Sequence, residues 1–367
     1  MPQARKTEAE YIIDANELIR KKNLELADNK RTIAQLQREK DTAEAIRREV
    51  FGIAEHSPAP PEWITGKSAK SGSRGGPLTV WSDMHYGEVV DPDQSGGNKF
   101  NHRIAKERFH RLVDTSIDLC FNHMGRATVN YPGIVICLGG DMIGGDIHEE
   151  LLATNDRTPH QSVNDLTDLL GAGLETMAGK FGRVFVPCVV GNHGRSTHKM
   201  RMKNRVFTNY DWSIYCNLER YFRKDKRVQL YVPSEADAHF TVYGHRYLLT
   251  HGDSLGVKGG DGIIGALGPI KRGAIKIGNQ QRAFGRDFDT LVMGHWHQYI
   301  TVPGIIVNNA LKGFDEYAHL QLRAEPSRAS QALWFTHPEH GITAHWQVYL
   351  QGRQKATQSK EWLTWQT

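Results

Sequence analysis

From Leu78 onward the chain alternates two kinds of segment. Short apolar runs, each closing on a polar cluster, are separated by stretches whose apolar residues recur with helical spacing. The runs are LTVWSDMHYG from Leu78, GIVICLGGDMIGG from Gly133, RVFVPCVVGNHG from Arg183, RYLLTHGD from Arg246, TLVMGHWHQY from Thr290 and GIIVNNAL from Gly304. Near-continuous apolarity over so short a length predicts strands buried on both faces. Helices are predicted over Arg103–His123, Val163–Phe181 and Thr208–Arg223. Strands alternating with helices predict an α/β domain. Gly256–Gln281 has weak periodicity and reads as a long loop or lid. After Phe314, AHLQLR, ALWFTH and ITAHWQVYL alternate apolar and polar positions, which predicts a closing antiparallel meander.

The first fifty residues follow another pattern. Glu8–Ala54 is rich in Glu, Lys, Arg, Ala, Leu and Ile, and Ile12, Ile19, Leu26 and Ile33 recur every seven residues. The companion positions Ala15, Lys22, Asn29, Leu36, Ala43 and Val50 are only partly apolar. The pattern fits a self-associating coil, which would make the chain a homo-oligomer through residues 8–54, and equally a helical hairpin packed on the main domain. His56–Pro77, HSPAPPEWITGKSAKSGSRGGP, is a linker by composition. The expected organisation is a helical, coiled-coil-like segment over 1–54, a flexible linker over 55–77, the α/β domain over 78–350 and a tail over 351–367.

Composition adds boundaries rather than detail. Of the 367 residues, 39% are hydrophobic and 24% charged, an ordinary globular balance. No apolar run approaches the ~18–20 residues of a membrane span, and the N-terminal region is charged, so neither a membrane partner nor a secretory leader is expected. The expected location is cytoplasmic. A net charge of +5 permits a polyanionic partner without requiring one. Cys120, Cys137, Cys188 and Cys216 lack CxxC spacing, and the apolar surroundings of Cys137 and Cys188 predict buried thiols. The 18 histidines carry more information, because several fall in short, chemically suggestive pairs.

Five of the six apolar runs end in side chains able to bind metal: Asp83 and His85, then Asp141, then Asn192 and His193, then His251, then His295 and His297. Ligand sites in α/β sheets gather beyond the carboxyl ends of strands. Singly, each set reads as an ordinary turn or a hydrogen-bonded strand end. Jointly they place one cleft's worth of imidazole and carboxylate groups together, which points to a metal centre.

The order D-x-H, G-D, G-N-H, H, G-H-x-H resembles the calcineurin-like metallophosphoesterase superfamily over roughly Leu78 to Leu350. The resemblance implies a four-layer α/β/β/α sandwich, with two mixed sheets flanked by helices. It implies one metal bound by Asp83, His85, Asp141 and His297, a second bound by Asp141, Asn192, His251 and His295, and His193 as general acid. Imidazole and carboxylate ligands without thiolate suit two divalent ions, Mn²⁺ first, with Fe or Zn²⁺ as alternatives. Two departures stand out. Gly194 follows His193 where many members carry an acid, so Asp253 or another carboxylate would have to orient it. The Asp-Arg pair that follows the Asp141 position in serine/threonine protein phosphatases is also missing, which argues against that branch.

Arg195, His198, Lys199, Arg201, Lys203 and Arg205 follow the Gly-Asn-His block, and Lys258, Lys271, Arg272 and Lys276 lie further on. Such a strip reads either as a solvated face or as a phosphate track, with Arg195, His198 and Lys199 nearest the metals. Tyr86, Trp296 and Tyr299 are candidates for stacking bases or for packing the rim. His148, Glu149 and Glu150 either line the cleft or begin a helix. The resulting expectation is a nuclease cleaving DNA phosphodiesters, resembling the recombination-repair nucleases and similar phosphoesterases encoded by bacteriophages, whose setting would be the host cytoplasm. The alternatives are a nucleotide phosphatase or small phosphodiesterase, and a weakly active binding or assembly protein on the same fold.

Overall fold

The computed structural model describes residues 20–31, 75–123, 131–256 and 265–352. Two compact units divide the chain, residues 1–57 and 58–367. In the first, residues 20–31 are helical and exposed, with Lys22 paired to Glu25 at 2.9 Å. Ile12, Ile19 and Ile33 of the heptad pattern lie outside the described residues, as do most of the linker, Lys258 and the tail beyond 352.

The second unit holds two sheets. The first has six strands in the order β11-β10-β1-β2-β3-β4, from β1 (Gly76–Trp81), β2 (Ile134–Leu138), β3 (Val184–Pro187), β4 (Val228–Tyr231), β10 (Ser330–His337) and β11 (Gly341–Tyr349). The second has five in the order β5-β6-β7-β9-β8, from β5 (Ala238–Val242), β6 (His245–Leu249), β7 (Thr290–Met293), β8 (Ile300–Val302) and β9 (Ile305–Val307). β1 to β4 run parallel, and β10 and β11 are antiparallel additions at one edge. β6, β7 and β9 are parallel, flanked by antiparallel β5 and β8.

Among the described residues of this unit five α-helices complete it: α1 (His102–Asp118), α2 (Glu149–Thr154), α3 (Pro159–Phe181), α4 (Tyr210–Tyr221) and α5 (Leu267–Ala283). Asn101 caps α1 by accepting from the Arg103 and Ile104 backbone N–H groups. Thr158 and Gln161 form a capping box at α3, with Pro159 in the first turn and Gly182 (φ 76°) ending it.

The hydrophobic clusters define four layers. Leu78, Val80, Val135, Cys137 and Phe185 of the first sheet meet Phe240, Tyr247, Leu249, Val292 and Ile306 of the second. The first sheet's other face, Trp81, Ile134, Ile136 and Val186, packs under α1, α3 and α4 through Phe109, Leu112, Leu166, Leu174 and Ile214. The second sheet's outer face, Leu248, Leu291, Met293 and Val307, packs against Ile270 of α5. This is an α/β/β/α sandwich.

All four cysteines are free and buried. Three expectations change. The segment Gly256–Gln281 is not a loop throughout: from Leu267 it is helix α5, with Pro269, Ile270 and Gly273 buried and Ile270 packed against the second sheet. Its short, Gly- and Lys-interrupted apolar stripe hides the periodicity. AHLQLR is not a strand, because residues Tyr317–Gln321 coil into a π-helical turn. The linker ends sooner than expected, since Gly76 and Pro77 already belong to β1.

Candidate metal centre

The ligand candidates sit on turns that leave β1, β2, β3, β6 and β7 at their carboxyl ends. Among the described residues, eight non-glycine residues have positive φ, and five of these are Asp83 (50°), His85 (45°), Asp141 (50°), His295 (67°) and His297 (50°). Left-handed backbone is unfavourable for aspartate and histidine, and such outliers gather at functional sites. Here the turns are held by backbone bonds from one loop to the next, Asp83 N–H to Gly140 O at 3.0 Å and His85 N–H to Asp141 O at 3.1 Å.

Two triads result, each with ligand atoms within 4.8 Å of one another: Asp83, His85 and His297, and Asp141, His251 and His295. In the first, His85 Nε2 and His297 Nε2 face each other at 3.1 Å, and His297 Nε2 lies 3.4 Å from Asp83 Oδ1. In the second, His251 Nε2 lies 3.0 Å from Asp141 Oδ2 and 3.2 Å from Asn192 Oδ1. His251 Nδ1 donates to Gly139 O at 2.8 Å, which turns Nε2 inward as the ligand atom.

The donors suit divalent ions. Asp141 Oδ1 accepts from the His193 backbone N–H at 2.7 Å, while the buried Oδ2 has His251 Nε2 at 3.0 Å as its contact. A buried carboxylate oxygen whose neighbours are imidazole nitrogens makes a donor set that a cation would satisfy. Although burial opposes ionisation, the histidines hold Asp83 below the usual carboxylate range and Asp141 well below it. Burial also lowers His85 and His295 to about 4, so both imidazoles are neutral at pH 7. Burial likewise disfavours protonated His251, yet Asp141 pushes it up to about 10. The cleft thus attracts positive charge, and its donor set fits two divalent ions.

His193 joins the cluster. Its ring centroid is 4.6 Å from that of His85 and 5.8 Å from that of His148, and Nδ1 lies 3.0 Å from Gly144 O. The Gly144 carbonyl therefore orients His193, a role expected of Asp253 or another carboxylate. Asp253 is engaged elsewhere, paired with Arg205 at 2.8 Å. Gly194 has no room for a side chain, because a Cβ there would strike Asn209 and Asp211.

Comparison with known protein families and with curated proteins finds no match. Among solved structures, a provisionally assigned 5'-nucleotidase from Staphylococcus aureus, solved with α-ketoglutarate, aligns at TM-score 0.32 and 12% identity. The alignment covers 77% of this chain and 56% of that one, so the chain spans little more than half of that protein's length. The chemistry of the cleft rests on its own residues.

Three residues that no motif singles out support the triads. Asp211, at the start of α4, accepts from the backbone N–H groups of Asp141 (3.0 Å), Met142 (3.1 Å) and Gly191 (2.9 Å). Glu88 lies 3.1 Å from His85 Nδ1, and Lys312 bridges Glu88 (2.7 Å) and Asp315 (2.6 Å). Burial would discharge Lys312, but the two carboxylates raise its pKa above the usual lysine range. The only available signal in the sequence is topological: the sixth strand end, after GIIVNNAL, leads straight to Lys312.

The basic strip is only partly free. Arg195 turns back onto the carbonyls of Asn192 (3.0 Å) and Thr197 (3.1 Å), and Arg205 pairs with Asp253. The loop closes on itself through Ser196 N–H to Thr208 O at 2.9 Å, leaving His198, Lys199, Arg201 and Lys203 exposed. Lys271, Arg272 and Lys276 are exposed on α5. Tyr86 cannot stack a base, being buried with its hydroxyl donating to Asp165. Trp296 and Tyr299 are half-buried against the second sheet's hydrophobic clusters. His148 precedes α2, and Glu149 and Glu150 form its first turn, all three exposed. Among the described residues no helix is long and apolar enough to cross a membrane.

Proposed function

We propose that this chain is a two-metal phosphoesterase that hydrolyses phosphodiester bonds in DNA. The observation that carries it is the pair of imidazole–carboxylate triads, each with two buried members and one half-buried. Asp83, His85 and His297 would hold one divalent ion; Asp141, His251, His295 and Asn192 would hold the other, with Asp141 shared. When bound, such a pair polarises a phosphoryl oxygen and generates a hydroxide nucleophile at neutral pH.

The chain's own residues supply the rest. His193, oriented through Nδ1 by Gly144, would in its imidazolium form give the Nε2 proton to the departing alkoxide. Lys199, Arg201 and Lys203, on a loop that begins beside ligand Asn192, supply charge for a polyanionic backbone. That exposed basic loop favours a nucleic acid over a free nucleotide.

A panel of substrates tests the reading: linear duplex DNA, circular single-stranded DNA, an aryl phosphodiester and an aryl phosphomonoester, each with Mn²⁺ and with EDTA. Metal-dependent cleavage of DNA and of the diester is expected. Hydrolysis of the monoester alone would make the protein a nucleotide phosphatase, and no turnover by protein carrying two Mn²⁺ would make it a binding or assembly protein.

A further inference from the structure

Beneath the first triad lies a chain of buried charges that the proposed reaction does not use. His85 Nδ1 and Glu88 Oε2 are 3.1 Å apart, both are buried, and neither has another hydrogen-bond partner. Glu88 Oε1 accepts from Lys312 Nζ at 2.7 Å, and Lys312 Nζ lies 2.6 Å from Asp315 Oδ2. The three charged residues are 4–5% exposed. The Lys312 carbonyl accepts from Arg108 (2.6 Å) and from Asn98 (2.9 Å), which pins the strap after β9 against α1.

A buried ammonium between two carboxylates is costly to assemble, and this one stands behind one particular imidazole. A histidine that offers Nε2 to a cation must carry its proton on Nδ1, and an acceptor there fixes both tautomer and ring angle. Glu88 Oε2 is in place to be that acceptor. His251 of the second triad uses a backbone carbonyl, Gly139 O, for the same purpose. The two triads are therefore supported differently, one by a neutral dipole and one by a charge that Lys312 and Asp315 hold in position.

We propose that Glu88, fixed by Lys312 and Asp315, is a positioning residue that sets the metal affinity of the Asp83–His85–His297 triad and leaves the Asp141–His251–His295 triad unaffected. This rests on the two-metal reading, and the experiment separates the two. The probe is Mn²⁺ alone, titrated calorimetrically into full-length, metal-stripped protein, with circular dichroism to confirm folding.

Wild type is expected to bind two Mn²⁺. Glu88→Gln keeps the shape but removes the charge. It should bind one Mn²⁺ with unchanged affinity and the other about 10–100-fold more weakly, the range found when a metal-bound histidine loses its outer hydrogen-bond acceptor. In the Zn²⁺-loaded wild type, long-range proton–nitrogen spectra should show His85 protonated on Nδ1 with a strongly deshielded proton, and Glu88→Gln should lose that deshielding. If Glu88→Gln does not fold, Asp315→Asn, which leaves the Glu88–Lys312 pair, should weaken the same single site by a smaller factor. Two unchanged affinities in a folded variant overturn the proposal, and so does equal weakening at both sites. A wild type that binds no Mn²⁺ overturns the two-metal reading itself.

Discussion

Replacing Asp211 should separate two costs that the fold places on one carboxylate. The side chain is fully buried, with Oδ2 accepting from Asp141 and Gly191 and Oδ1 accepting from Met142. Asp211→Ala strands three buried backbone donors. At about 1–3 kcal/mol for each unsatisfied donor the loss is about 3–9 kcal/mol, against a typical total stability of about 5–15 kcal/mol. Asp211→Asn can keep its amide oxygen at the Oδ2 position and retain two of the three bonds. Its NH₂ then faces the Met142 N–H, so one donor is left unsatisfied, at about 1–3 kcal/mol. At roughly 2–4 °C per kcal/mol for a domain of 150–250 residues, and less for a larger one, Asn should lower Tm by a few degrees. By the same conversion Ala should lower Tm by about 6–36 °C, or somewhat less in so large a domain. The assay is thermal circular dichroism on metal-free protein. An Ala variant melting within a few degrees of wild type, or no lower than Asn, would refute this account of the Asp141 and Gly191 turns.

Other outcomes follow from the same geometry. Asp141→Asn should remove nearly all Mn²⁺-dependent hydrolysis and erase the stabilisation by Mn²⁺, which for wild type at 100 times Kd is about 2.7 kcal/mol per site; a thermal shift equal to that of wild type would contradict it. Changing Lys199, Arg201 and Lys203 to Ser should weaken duplex DNA binding and lower its log–log salt slope by about 0.9 for each phosphate no longer neutralised, sparing a small aryl diester. Equal loss on both substrates would point to damage in the metal cleft. His193→Ala should keep both metals and lose about 10²–10⁴-fold on DNA, but far less on an aryl diester whose leaving group needs no proton. Loss of metal in that variant would make His193 a ligand. Removing residues 1–70 should give a smaller assembly by light scattering with the metal site intact, and a full-length protein already monomeric at micromolar concentration would rule out association through residues 8–54.

The parts of this centre legible in the sequence are those that strand ends dictate. A buried parallel strand must be apolar and must stop, and the residues at its stop are free to be Asp, His or Asn; four such stops supply every member of both triads, and a fifth, after β3, supplies Asn192 and His193. What stays hidden belongs to tertiary contact. Asp211 lies two residues into a helical pattern and reads as an ordinary acidic first turn, because only the fold brings the Asp141 and Gly191 backbones to it. Lys312 reads as a surface cation until Glu88 and Asp315 are placed around it. Helix α5 escapes the sequence pattern because only a few of its residues are buried, too few for a 3.6-residue period to stand out.

The same hidden contacts explain how five candidate ligand residues tolerate left-handed backbone. At about 1–3 kcal/mol per strained residue, such turns persist only where neighbouring structure over-determines them. Asp83 shows the method: Oδ1 accepts from the His295 N–H at 2.8 Å, and Oδ2 accepts from the Ser82 hydroxyl. That hydroxyl in turn accepts from Asn308 at the end of β9. Asp83, on a turn of the first sheet, is thereby tied to two elements of the second, so the cleft is built by the meeting of the two sheets and not by any one loop. A single ligand turn lifted out of this setting would relax to ordinary backbone. The geometry of the candidate metal site is a property of the sandwich, and for this reason variants at Asp211, at Glu88 and at Lys312, none of them in either triad, should weaken Mn²⁺ binding.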